Sequence, residues 1–311
     1  MSDVVSSSPS RTDRDDFRAT SDPALSEAAE RDGEFQLLAP RELYELWERQ
    51  QWATQDLDFT QDRIDWQERI TPQERVQRLY GLSSFFVGEQ RVAAELAPLM
   101  HAVEDEQVRM FLCTQIADEA RHVAFFDRFF AEVGAFDSDD VGGRLAQALP
   151  NLNPEFHTLF DELLVARAQR LWQEPSDREA AVEFVTIYHM VIEGMLALTG
   201  QHFIIDFNER QGTLPGFVAG FTNVARDEHR HVAFGARFLR DMVRRDDRYR
   251  AAVQRTIVEV GPAVDGVLRP KWLGDEHPDD EAVTMFGVSV DETRAFAMRC
   301  LSRRLKVIGL G

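Results

Sequence analysis

Two stretches of the chain, DEARHVAFFDRF at 118–129 and DEHRHVAFGARF at 227–238, nearly repeat each other 109 residues apart. Each contains a Glu-x-x-His: Glu119 with His122, and Glu228 with His231. Residues three apart on a helix share a face, so each pair offers a metal ion two ligands from one rigid element. Two such helices need two further carboxylates to close a dinuclear site, one from each remaining helix of a bundle. Glu89, in FFVGEQRVAAEL, and Glu193, in MVIEGMLALTG, meet that need. Each lies in an apolar stretch, where an ionised carboxylate is costly unless paired or metal-bound. Glu89 precedes Glu119 by 30 residues and Glu193 precedes Glu228 by 35, as expected of a duplicated two-helix unit. Four carboxylates also offset two divalent ions, and Glu119 is expected to bridge them.

A single Glu-x-x-His reads most simply as a solvated helix face. Two copies, each inside Asp-Glu-x-Arg-His and each matched to a Glu in an apolar helix, read as a metal site. A duplication that kept only a packing motif would not keep charges inside a core. A ligating imidazole needs its second nitrogen held, so Asp118 and Asp227 are each expected to reach the opposite helix's His. Arg121 and Arg230 accompany them. His189 and His229 are expected to be structural or superficial, and His101, His157, His202 and His277 show no ligand spacing.

The elements that must carry these residues are helical. TPQE at 71–74 is a capping box with Pro72 at the first helical position, opening a helix to about Val103. A second helix spans about 105–134. SDRE at 176–179 opens a third, to about Asn208, and a fourth runs from about Pro215 to Met242. Each is on the order of 40 Å long at ~1.5 Å per residue. The long link 135–175 carries its own helix at 154–173, the crossover that such a bundle needs. No alternating strand pattern is present. The fold class is all-α: a ferritin-like four-helix bundle with flanking helices. Residues 1–34, rich in Ser, Asp and Arg, read as a loosely ordered arm, and 35–311 as one domain. Its segment 270–311 holds an acidic loop at 274–282 and a basic stretch at 291–308, read as a surface helix docked on the acidic body.

With 44% hydrophobic residues the chain can build a large core, and a net charge of −19 argues against nucleic acid as a partner. Cys113 and Cys300 form no disulfide framework, no apolar run approaches a membrane span, and the first residues lack a signal peptide's apolar core. A soluble, cytoplasmic protein is expected.

The constellation of Glu89, Glu119-x-x-His122, Glu193 and Glu228-x-x-His231 resembles the ribonucleotide reductase small-subunit superfamily. So does WATQDLDFTQDRIDW at 52–66, similar to the segment preceding the first metal-bearing helix there. The resemblance covers about 45–245. It implies an indole–carboxylate–imidazole chain of Trp52, Asp227 and His122, and a homodimer. A radical-storing subunit has tyrosine four residues after the first His ligand, where this chain has Phe126. The stretch RCLSRRLKVIGLG also lacks the tyrosine that passes a radical to a partner subunit, so a reductase role is disfavoured.

The ligand-binding oxidases of this superfamily are the closer resemblance. They imply a Mn/Fe site (or two Fe), dioxygen as co-substrate, a long-chain fatty-acid-like ligand, and a Tyr–Val ether cross-link. By resemblance the cross-linked pair here is Val92 and Tyr188. Val92 shares the face of Glu89 at i, i+3, but Tyr188, five residues before Glu193, does not share that residue's face in an α-helix. Gly194, Ala197, Gly200 and Phe126 are expected to border the ligand's space, although close helix packing would also explain the small residues. A di-iron oxygenase without the Tyr–Val pair and a ferritin-like storage protein are the other readings.

Overall fold

The computed structural model describes residues 30–31, 34–35, 37–270 and 287–311. The acidic loop at 274–282 and nearly all of the N-terminal arm lie outside them, save a two-residue antiparallel pairing of Glu30–Arg31 with Glu34–Phe35. The helices are α1 Pro40–Arg49, α2 60–69, α3 Pro72–Glu95, α4 Ala97–Ala102, α5 Glu106–Val133, α6 Val141–Ala148, α7 154–173, α8 Arg178–Gln211, α9 Pro215–Arg245, α10 Asp247–Val267 and α11 Val290–Val307. Helices α3, α5, α8 and α9 form the four-helix core: α3 packs on α5, α8 on α9, and α1 lies across α5 and α9. Helix α7 is the crossover, and the basic helix α11 docks on α8.

Local chemistry sets most helix ends. Thr71 and Glu74 bond reciprocally to start α3. Asp105 caps α5, which ends at Gly134 in the left-handed conformation (φ 69°). The third core helix is capped by Asp177 rather than Ser176: its carboxylate accepts the N–H groups of Glu179 and Ala180 at 2.9 and 3.0 Å. The first helix also stops earlier than expected. It breaks at Leu96 because Pro98 has no N–H to offer the carbonyl of Ala94.

Helix α9 has no cap of its own, since Leu214 enters it with φ 53° and an apolar side chain. The cap comes from the upstream stretch at 52–66. Buried Asp62 accepts the N–H groups of Gly216 and Phe217 at 2.8 and 2.6 Å, and Asp65 accepts that of Leu214 at 2.8 Å. Gly216 permits the approach, because a Cβ there would lie 2.2 Å from the Asp58 carbonyl oxygen. Asp62→Ala should therefore lower stability to urea by about 2 kcal/mol, and Asp62→Asn by less, since the amide oxygen keeps one acceptor.

Three stretches are wound as π-helix: Asp65–Arg69 in α2, Thr158–Leu164 in α7 and Thr186–Ala197 in α8. Helix α8 is long and apolar enough to cross a membrane, contrary to the sequence expectation. Of its most apolar window 89% is buried inside the protein, where it serves as a core helix of the bundle.

Candidate metal centre

The four core helices bring all six expected ligands together in a buried cluster. Glu89 comes from α3, Glu119 and His122 from α5, Glu193 from α8, and Glu228 and His231 from α9. They form two sets whose donor atoms lie within 4.8 Å of one another: Glu89, Glu119, His122 and Glu228, and Glu119, Glu193, Glu228 and His231. Glu119 and Glu228 belong to both. His122 Nδ1 lies 3.2 Å from Glu89, 3.4 Å from Glu119 and 3.5 Å from Glu228. His231 Nδ1 lies 3.3 Å from Glu228, 3.4 Å from Glu119 and 3.5 Å from Glu193.

Both imidazoles turn Nε2 outward to an aspartate on the opposite helix, His122 to Asp227 at 3.4 Å and His231 to Asp118 at 3.2 Å. Arg230 joins the two aspartates, at 2.8 Å from Asp118 and 2.6 Å from Asp227, and Arg121 bonds both from the other side. Trp52 Nε1 donates to Asp227 Oδ2 at 2.8 Å. An outward N–H held by a carboxylate leaves each Nδ1 lone pair directed into the cluster, the arrangement of a metal-ligating histidine.

The electrostatics of the cluster suit bound cations. Burial pushes the Glu89 carboxyl up to about 8. Burial and the Glu228 carboxylate hold Glu193 well above its ordinary range, and burial and Glu119 raise Glu228. Burial acts the same way on Glu119, but His231 and His122 outweigh it and keep the group ionised. Four carboxyl groups can face one another in a dry core only with protons or cations between them. Several inward atoms have no hydrogen-bond partner: Glu119 Oε2, Glu193 Oε2, Glu228 Oε2 and His231 Nδ1. Two divalent ions would satisfy them all, so the donor set fits a dinuclear oxygen-and-nitrogen site.

Tyr188 is fully buried and donates its phenol to Glu119 Oε1 at 3.2 Å. The i−5 spacing from Glu193 that an α-helix would not allow works here because 186–197 is π-helix, whose i→i+5 pattern brings such residues onto one side. Val92 and three of the glutamates, Glu89, Glu193 and Glu228, line one cavity of about 130 Å³. Ala197 and Gly200 line it too. Gly194 and Phe126 do not. Gly194 makes room for α11, since a Cβ there would meet the Arg304 side chain at 2.9 Å, and Phe126 packs in an aromatic cluster with Phe85, Phe86 and Phe221.

Two polar neighbours were not singled out from the sequence. Gln115 Nε2 donates to Glu193 at 2.9 Å, and its oxygen faces His189 Nε2 at 3.2 Å. Its i−4 spacing from Glu119 could have marked it. Trp47 donates its indole N–H to Asp118. His189 is buried, with its pKa driven down to about 3 by that burial, so it is a neutral support for Gln115. Gln115→Met should weaken metal binding by roughly 10–100-fold in competition with a chromophoric chelator, because Glu193 would lose its orienting donor.

The sequence model of the family described as ribonucleotide reductase, small chain, matches residues 39–261, which contain every residue of the cluster. The chain belongs to that family. Solved structures add a finer likeness. A valine-to-isoleucine variant of R2-like ligand-binding oxidase, with aerobically reconstituted Mn/Fe cofactor, is 26% identical at a TM-score of 0.75, over 88% of this chain and 95% of that one. A tyrosine-to-phenylalanine variant with anaerobically reconstituted Mn/Fe cofactor is 27% identical at 0.76, over 88% and 94%. A glycine-to-leucine variant holding a non-activated Mn/Mn cofactor is 26% identical at 0.75, over 88% and 94%.

Proposed function

We propose that this small-chain family member is a dinuclear-metal oxidase that uses dioxygen at a Mn/Fe or Fe/Fe pair. The observation that carries the reading is the pair of buried ligand sets sharing Glu119 and Glu228, each completed by a histidine braced from outside by an aspartate. Glu89 and His122 would hold one ion, Glu193 and His231 the other, with Glu119 and Glu228 between them. Oxygen and nitrogen donors of this kind do not choose between Mn and Fe. The Mn/Fe cofactors of the similar oxidase structures support that pair.

Bound there, the metal pair supplies the chemistry of dioxygen reduction and of hydrogen removal from an unactivated C–H bond. The protein's own groups direct it. Tyr188 holds its phenol proton on Glu119, and Val92 stands in the cavity wall with Glu89, Glu193 and Glu228. Ether formation between the Tyr188 oxygen and a Val92 carbon removes one hydrogen from each and passes two electrons to the oxidant.

The cavity suits a long apolar molecule with a polar head at the carboxylate end. The hydroxyls of Ser84, Thr199 and Thr293 in its wall are already donated to the carbonyls of Tyr80, Met195 and Ser289, so they leave the wall apolar. A fatty-acid-like ligand has that form.

The test is metal analysis together with peptide mass spectrometry, on protein loaded anaerobically with Mn and Fe and then exposed to air. Two metals per chain, with the peptides of Val92 and Tyr188 joined at the loss of two hydrogens, would support the whole reading. Two metals without a joined peptide would leave the dinuclear oxidase and remove the Tyr188–Val92 assignment. Absence of tightly bound metal would sink the reading altogether.

A further inference from the structure

Asp118 and Asp227 hold equivalent places in the repeated helix, and each accepts an indole N–H. The bond from Trp52 to Asp227 was expected from the family. The bond from Trp47 Nε1 to Asp118 Oδ1, also 2.8 Å long, was not. Asp118 continues to His231 Nε2 at 3.2 Å. Each half of the cluster thus has its own indole–carboxylate–imidazole chain. We propose that Trp47 is the working electron route between the metal centre and the surface, entering through Asp118 and His231, with Tyr44 as its outer terminus. The proposal rests on the oxidase reading above.

Holding Asp118 in place does not account for Trp47. That carboxylate already accepts from Arg121 and from Arg230, and charge-assisted bonds are roughly twice as strong as a neutral indole N–H bond. Without the indole, Asp118 would remain where it is. What Trp47 adds is an oxidisable ring that is half-buried, touching the buried network at one end and reaching the surface at the other.

The next ring outward is Tyr44, three residues earlier on α1, with ring centroids 6.1 Å apart. The Glu48 carboxylate, four residues on along the same helix, raises the pKa of the Tyr44 phenol by its charge and is an acceptor for the proton that a tyrosine loses on oxidation. One stretch of helix therefore carries a relay, a terminal donor and a base.

The two indoles also differ in how readily they give up an electron. The Arg121 guanidinium lies 5.0 Å from the Trp52 ring centroid, stacked on its face. A cation held there stabilises the neutral ring and opposes a positive charge on it. Among the described residues no cation stacks on Trp47. Both rings touch an aspartate, so the stacked guanidinium decides the comparison in favour of Trp47.

With a metal pair held by the cluster and oxidised by dioxygen, Trp47 would pass one electron inward through Asp118 and His231, and the pair would take up that one electron. Tyr44 restores Trp47 by giving up an electron, and its phenol proton goes to Glu48. An external one-electron reductant then returns the electron to Tyr44, and Glu48 returns the proton. Each passage moves one electron from the reductant to the metals and leaves the side chains unchanged.

The test is freeze-quench electron paramagnetic resonance on full-length protein carrying Tyr188→Phe, so that no electron can come from that phenol. The protein is loaded anaerobically with Mn and Fe and mixed with oxygenated buffer, with ascorbate as the reductant in a parallel optical experiment. The parent protein should show a transient tyrosyl signal, and adding Tyr44→Phe should replace it with a tryptophanyl one. Adding Trp47→Phe should abolish both signals and slow ascorbate reduction of the oxidised metals at least tenfold, with metal content unchanged. Adding Trp172→Phe, at an exposed indole outside the cluster, should leave the radical yield and the reduction rate alone. Unaltered radical and reduction kinetics in the Trp47→Phe protein would overturn the proposal, as would their loss in a Trp52→Phe protein alone. If the loaded parent takes up no oxygen, the oxidase reading itself falls; normal uptake with no variant-dependent kinetics removes only the electron route.

Discussion

Glu119→Gln should reduce the protein from two tightly bound metal ions to one or none. The amide has the shape of the carboxylate and can still accept the Tyr188 phenol, so the change removes charge and one metal-facing oxygen rather than volume. Glu119 belongs to both ligand sets, and its Oε2 has no hydrogen-bond partner. Both ions therefore lose an anionic ligand, and affinity should fall by at least about 100-fold, more than is typical for loss of an outer hydrogen-bond partner. The clearest readout is melting with and without metal. At a free ion concentration near 100 Kd, binding stabilises a folded protein by about 2.7 kcal/mol. The variant should lose that gain while its helical circular dichroism stays that of the parent. Two ions and an undiminished melting gain in the variant would remove Glu119 from the ligand set.

Tyr188→Phe should leave both metals bound and abolish the proposed cross-link completely, because the oxygen that would form the ether is gone. The structural cost is small. Tyr188 makes one bond to Glu119 at 3.2 Å, and Glu119 keeps His122 and His231 at 3.4 Å. Loss of that bond is worth about 1 kcal/mol. Peptide mass spectrometry after aerobic metal loading should show the Val92 peptide free, and metal analysis should still give two ions. A joined Val92 peptide in this variant would place the cross-link on another residue and undo the Tyr188 assignment.

Much of the centre was legible in the sequence because its parts obey short-range rules. The i, i+3 spacing within each Glu-x-x-His puts both side chains on one face, and a glutamate in an apolar helix announces an unmet charge. Both signals survive without knowledge of the fold. Ala197 and Gly200 were legible as small residues on a ligand helix. Gly194 has the same character and a different role, because its missing side chain admits Arg304 from α11, a helix distant in sequence. Phe126 sits one turn after His122 but turns into the aromatic cluster, away from the cavity.

The sequence by itself determined the all-α class, the four core helices and the six residues of the buried cluster. Helical period, capping residues and buried charge are properties of a segment and its immediate neighbours, and they require no partner. The tertiary structure decided what depends on partners. It put Asp118 on His231 and Asp227 on His122, made Asp62 the cap of a helix begun at Pro215, and set Trp47 against Asp118. It also wound 186–197 into the π-helix that turns Tyr188 toward Glu119. Helical period says which face a residue occupies, and only the packing of one helix on another says what that face meets.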